Sequence, residues 1–130
     1  MSRKPQKWYD SHPNNKHWRT KADKLWSQIV RNRWPRCPIC GNANTQAHHI
    51  LTKGAYPQYR HELINGIGLC YQCHTGQKRG HISAHGTPLK FHEWLRTHCP
   101  DVYEWTEAAR RDDGPRTETH KDAYERLRGL

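Results

Sequence analysis

Two Cys-x2-Cys pairs, Cys37-Pro-Ile-Cys40 and Cys70-Tyr-Gln-Cys73, constrain this chain more than any other feature. With residues 41–69 between them, they match the tetrahedral Zn²⁺ pattern: each pair forms a knuckle and the intervening sequence closes as a loop. Four thiolates complete that shell by themselves. The dipeptide His48-His49, bracketed by the pairs, and His74, directly after the last of these cysteines, are left for other chemistry. The composition also calls for a metal clip. Only 33% of the 130 residues are hydrophobic, and Phe and Met occur once each. Apolar burial alone would stabilise such a chain poorly, so metal binding is expected to supply much of the folding free energy. Six Trp and six Tyr provide most of the large surfaces available for burial.

The five cysteines could instead form two disulfides plus a free thiol in a secreted chain. The paired spacing and the missing signal-peptide pattern both oppose that use. No long apolar run is present, so the expectation is a soluble cytoplasmic protein with no membrane partner. Cys99, followed by Pro100, reads as a small apolar residue near a helix end. The net charge of +10, from 22 Lys and Arg against 12 Asp and Glu, calls for a polyanionic partner, most commonly nucleic acid. Charge alone does not choose between DNA, RNA and an acidic protein surface.

Residues 1–16 are basic, rich in Pro and Asn, and aperiodic, which reads as an extended, flexible arm. Thr20 serves as N-cap for a helix reaching Arg33, with Leu25, Trp26, Ile29 and Val30 at helical spacing and Trp34-Pro35 as the stop. Residues 45–51 suit a strand carrying both histidines, and 53–60 a loop. Residues 63–69 suit a second strand, in which Gly66 and Gly68 signal a tight bend or a close backbone approach. A short helix over 73–79 would end at Gly80, with further helices over 89–97 and 102–111. Residues 117–130 suit a last, mostly polar helix. The expected fold class is α+β: an arm (1–16), an N-terminal helix (17–34), a zinc-stapled strand–strand–helix core (35–86) and a helical region (87–130).

Phosphodiester hydrolysis needs a base to activate water and a cation beside the scissile phosphate and leaving oxygen. Imidazole titrates near working pH, which makes His49 a candidate base. Adjacent strand positions point to opposite faces, so His48 can bind a metal while His49 addresses water. Asn65 is the obvious source of an amide carbonyl to accept a hydrogen bond from Nδ1–H of the base and fix its tautomer, and His74 can complete a metal pair with His48.

The pattern Cys37-x2-Cys40, Ala47-His48-His49-Ile50, Asn65-x3-Leu69-Cys70-x2-Cys73-His74 closely resembles the zinc-containing HNH endonucleases, which carry a ββα-metal (His-Me finger) fold. The resemblance covers about residues 34–86. It implies His49 as the general base, Asn65 as the residue orienting it, and His48 and His74 as ligands of a catalytic divalent ion. It also implies a structural Zn²⁺ on Cys37, Cys40, Cys70 and Cys73. The implied substrate is DNA, with the ββα unit against the minor groove; one such site cuts one strand, so double-strand cleavage would need a homodimer or two sequential nicks.

Some members carry another His four residues beyond the last; here that position is Lys78. A two-histidine site with water suits Mg²⁺ or Mn²⁺. Alternatively His81 or His85 folds back as a third ligand, His85 being preferred. Lys53, Arg60, Lys78 and Arg79 are the candidate DNA-phosphate contacts. The helical region after Gly86 is similar in flavour to small phage-type HNH proteins, which would place the protein in a bacterial cytoplasm. The competing reading is a non-catalytic, zinc-dependent nucleic-acid-binding module. Asn65 and the His48/His49/His74 set argue against it, since binding alone does not need them.

Overall fold

A computed structural model of the chain describes residues 3–76 and 80–130. Its elements are helices α1 (Gln6–Asp10) and α2 (Lys16–Arg33), strands β1 (Gln46–His49) and β2 (Gly66–Leu69), and helices α3 (Tyr71–His74), α4 (Pro88–His98), α5 (Pro100–Arg110) and α6 (His120–Arg128). The two strands form one antiparallel sheet, so the fold is α+β as expected. Among the described residues, no helix is long and apolar enough to cross a membrane.

The N-terminal segment departs from the sequence expectation. Residues 6–10 coil into α1 rather than forming an extended arm. The Tyr9 carbonyl accepts from Trp18 Nε1 at 2.8 Å, and the Pro13 carbonyl accepts from Lys121 N at 2.9 Å, so the segment lies against α2 and α6. Helix α2 begins before Thr20, because Asn15 is the better cap: its side chain accepts from His17 N and satisfies a free helix-end donor. Helix α3 closes at His74, shorter than the expected helix, whose residues 77–79 lie outside the described residues. Residues 63–65 form a 3₁₀ turn, so Asn65 stands just ahead of β2 instead of within a strand.

Strand β2 reads Gly-Ile-Gly-Leu, and its alternation organises the core. Ile67 and Leu69, both 0% exposed, join Phe91, Trp94, Leu95 and the cysteines on one face of the sheet. The glycines face α2. A Cβ on Gly66 would run into Val30 Cγ2 and lie 2.8 Å from the Trp26 ring, and one on Gly68 would meet Trp34. The absent side chains are what let α2 lie directly on the strand, where Trp26 and Val30 form a second cluster with Leu127 of α6. The mostly polar last helix is thus anchored by its buried Ala123 and Leu127.

Because α2 has no room to retreat, we expect Gly66→Ala to destabilise the fold by about 1–3 kcal/mol. Chemical denaturation should show a lowered midpoint at unchanged slope, whereas Gly54→Ala, where a Cβ meets nothing within 4 Å, should leave it almost unmoved.

Candidate active site

The four cysteines converge. Cys37, Cys70 and Cys73 are buried, Cys40 is exposed, and their sulfurs all lie within 4.8 Å of one another. With Zn–S near 2.3 Å, a tetrahedral shell needs sulfurs about 3.8 Å apart, so modest contraction completes it. None of the five cysteines is in a disulfide. The first knuckle is shaped by Gly41, whose positive φ of 83° lets its amide return to the Cys37 carbonyl at 2.8 Å. Burial opposes the Cys37 thiolate, but the amides of Cys70, Cys40 and Ile39 directed at its sulfur hold the thiol below its ordinary range. The set fits a structural metal bound through sulfur.

His81 falls here and not with the other histidines: its Nε2 lies 3.0 Å from Cys73 Sγ. It is therefore no third ligand beside His48. His85 is placed differently. Backbone bonds from Ala84 N to the Cys73 carbonyl (2.8 Å) and from His85 N to the His74 carbonyl (2.9 Å) lay this segment along α3. His48, His74 and His85 then present ring nitrogens within 4.8 Å of one another, with His74 Nε2 and His85 Nε2 only 3.2 Å apart. Neighbouring nitrogen ligands around one ion at about 2.1 Å stand roughly 3.0–3.4 Å apart, so this spacing suits a shared cation. His74 Nδ1 donates to Gln46 Oε1 at 2.8 Å, which fixes the tautomer and turns the Nε2 lone pair toward the cluster. Burial, with His74 and His85 nearby, pushes His48 down to about 3, so its ring is a neutral donor at ordinary pH.

His49 lies on the other face of the sheet. The register pairs His48 with Ile67 and His49 with Gly66, and the space left by Gly66 admits Trp26. The Trp26 and His49 rings stack with centroids 3.8 Å apart and planes 7° from parallel. His49 Nε2 lies 2.9 Å from the Arg60 carbonyl. A carbonyl can only accept, so Nε2 carries the proton and Nδ1 keeps the lone pair. Burial lowers the His49 pKa; the Arg60 carbonyl acts to raise it, while the charges of Lys53 and Arg60 lower it further.

Asn65 does not reach His49 directly, contrary to the expected hydrogen bond. Fully buried, it accepts from Leu51 N at 2.8 Å and donates to the carbonyls of Leu51 (2.9 Å) and Tyr59 (3.2 Å). It therefore staples the 50–65 loop, and the backbone carbonyl of that loop, not the amide of Asn65, meets the imidazole. Of the expected DNA contacts, Lys53 is exposed near His49. Arg60 is not free for phosphate, because its guanidinium binds Asp23 Oδ1 and Oδ2 at 2.8 and 2.7 Å. Lys78 and Arg79 lie outside the described residues.

Four contributors escaped the sequence reading: Trp26, Gln46, Asp23 and the Arg60 carbonyl. Gln46 was findable, since it stands two residues before His48 and strand alternation puts both on one face. A main-chain carbonyl leaves no signature in sequence. No family of proteins, curated protein or solved structure matches this chain.

A structural zinc-finger metal contributes free energy on the order of 10 kcal/mol, comparable to the whole stability of a small domain. Cys70→Ser should therefore yield an unfolded chain by circular dichroism. The wild type should hold one tightly bound Zn²⁺ whose Co²⁺ replacement shows thiolate-to-metal charge transfer.

Proposed function

We propose that the protein is a metal-dependent endonuclease of the HNH type, with a ββα-metal core, hydrolysing DNA phosphodiester bonds. One observation carries this reading: adjacent positions of β1 hold an imidazole whose Nε2 meets a backbone carbonyl and a member of a three-imidazole cluster. His49 takes a proton from the attacking water at Nδ1 while its Nε2–H keeps donating to the Arg60 carbonyl. His48, His74 and His85 would hold a divalent cation, which supplies charge neutralisation on the scissile phosphate and the leaving 3′ oxygen. Three imidazoles and no carboxylate suit a first-row transition ion better than Mg²⁺, so Mn²⁺ is the favoured choice of the two expected from sequence.

Lys53 offers a phosphate contact beside the base, and the net charge of +10 supports binding to a polyanion. A cavity of about 440 Å³ opens beside His48, walled by Ile50, Phe91 and Leu95 and lined also by the Glu107–Arg110 ion pair.

Nicking of supercoiled plasmid in Mn²⁺, compared with protein that retains its zinc but is given no other divalent ion, tests the reading directly. His49→Ala should lower the cleavage rate by at least about 10²-fold with DNA affinity and fold retained. Full activity in that variant would remove His49 from the role of base. DNA binding by wild-type protein with no nicking in any divalent ion is the behaviour of the non-catalytic module.

The pH dependence follows from the direction of the His49 shift. Only the neutral ring accepts a proton, and burial holds its pKa below the ordinary 6.5. Log(kcat/KM) should rise with pH below that lowered pKa and be level by pH 7; a midpoint above 6.5 would contradict the assignment.

A further inference from the structure

Stacking on Trp26 fixes the plane of the His49 ring but is indifferent to which nitrogen carries the proton. That choice belongs to the acceptor, the Arg60 carbonyl 2.9 Å from Nε2. Arg60 sits in the loop between the strands, outside the sheet ladder, so something other than strand pairing must hold its carbonyl in place.

What holds it is a carboxylate on α2. Arg60 Nε and Nη2 grip Asp23 in a two-point fork at 2.8 and 2.7 Å. The next residue, His61, is 2% exposed and donates from Nε2 to the same carboxylate at 2.8 Å. His61 Nδ1 in turn accepts from Arg116 Nη2 at 3.0 Å, which leaves Nε2 as its proton-bearing nitrogen. Both residues flanking the Arg60–His61 peptide are thus tied to Asp23, while Asn65 holds the Tyr59 carbonyl on the upstream side. Asp23 and Trp26 are three residues apart on α2, hence on neighbouring positions of one helix face. One rigid helix supplies the support for the ring's plane and the anchor for its proton acceptor.

We propose that Asp23 is a positioning residue for His49: by clamping Arg60 and His61 it fixes the carbonyl that accepts the hydrogen bond from His49 Nε2–H, and so keeps Nδ1 as the base nitrogen. The inference rests on His49 being the base, but its effect on the ring can be read without any cleavage. An ion pair serving the fold alone predicts a different pattern. A two-point pair serving the fold alone would, on its loss, lower the melting temperature without touching the His49 tautomer.

The test is ¹⁵N NMR of the imidazole of His49 in the zinc-loaded 130-residue chain, for wild type, Asp23→Asn and Arg60→Gln, with single-turnover plasmid nicking alongside. Asp23→Asn keeps the shape but turns an amide NH₂ toward a donor. Arg60→Gln removes the fork while leaving α2 and the His61–Asp23 contact in place, and it carries the comparison should Asp23→Asn fail to fold. The expected result is a wild-type ring protonated at Nε2 and a clear Nδ1–H population in both variants. The cleavage rate should fall about tenfold at unchanged DNA affinity. A wild-type tautomer signature retained in both folded variants overturns the proposal, whatever happens to the rate. Absence of nicking by the wild type would instead count against the nuclease reading, while the NMR comparison still decides the role of Asp23.

Discussion

The convergence of four cysteine thiols is the constraint on which the remaining structure depends. Cys37 and Cys40 end the approach from α2, and Cys70 and Cys73 join β2 to α3. Bringing the pairs together sets β1 against β2 and presents His74 at the end of α3. In a chain with so few aliphatic side chains, Cys37, Cys70 and Cys73 belong to the main core with Ile67, Leu69, Phe91 and Leu95, while Cys40 stays exposed. Sulfur and carbon are packed as one unit there. Four thiols this close could hold a cation as thiolates, and such binding would couple metal to fold.

A two-stranded sheet is too small to stand alone, and here each face is given a different cover. On one face, large side chains of β2 fill the space toward α4 and the cysteines. On the other, glycines leave the space for α2. The same asymmetry sorts the adjacent histidines. His48 looks toward His74 and His85, and His49 toward Trp26. Two environments with different chemistry are therefore separated by a single peptide unit, one gathering lone pairs and the other stacking a ring against indole.

The division of labour around the 50–65 loop is between backbone and side chain. Asn65 imitates a peptide group, pairing with both the amide and the carbonyl of Leu51, and so closes the loop without touching His49. Asp23 closes it from outside through Arg60 and His61. The C-terminal segment contributes as well, since Arg116 reaches His61 and the Pro57 carbonyl. Elements distant in sequence thus converge on one short stretch of main chain.

Spacing alone determined the cysteine cluster, the α+β class, and the opposite facing of His48 and His49. These are local consequences of knuckle geometry and the two-residue period of a strand. The glycines of β2 likewise announced a close approach. What approached them was decided only in three dimensions, because α2 is distant in sequence and its apolar stripe names no partner. The same holds for His85 joining His48 and His74 while His81 went to Cys73: both histidines follow α3 at plausible reach, and the backbone pairing of residues 84–85 with 73–74 made the choice. Arg60, a free cation by sequence, became a clamp on Asp23, and its carbonyl, which no residue code records, became the acceptor for His49. Residue identity states what a group can donate or accept; only the folded chain decides which partner stands within 3 Å of it.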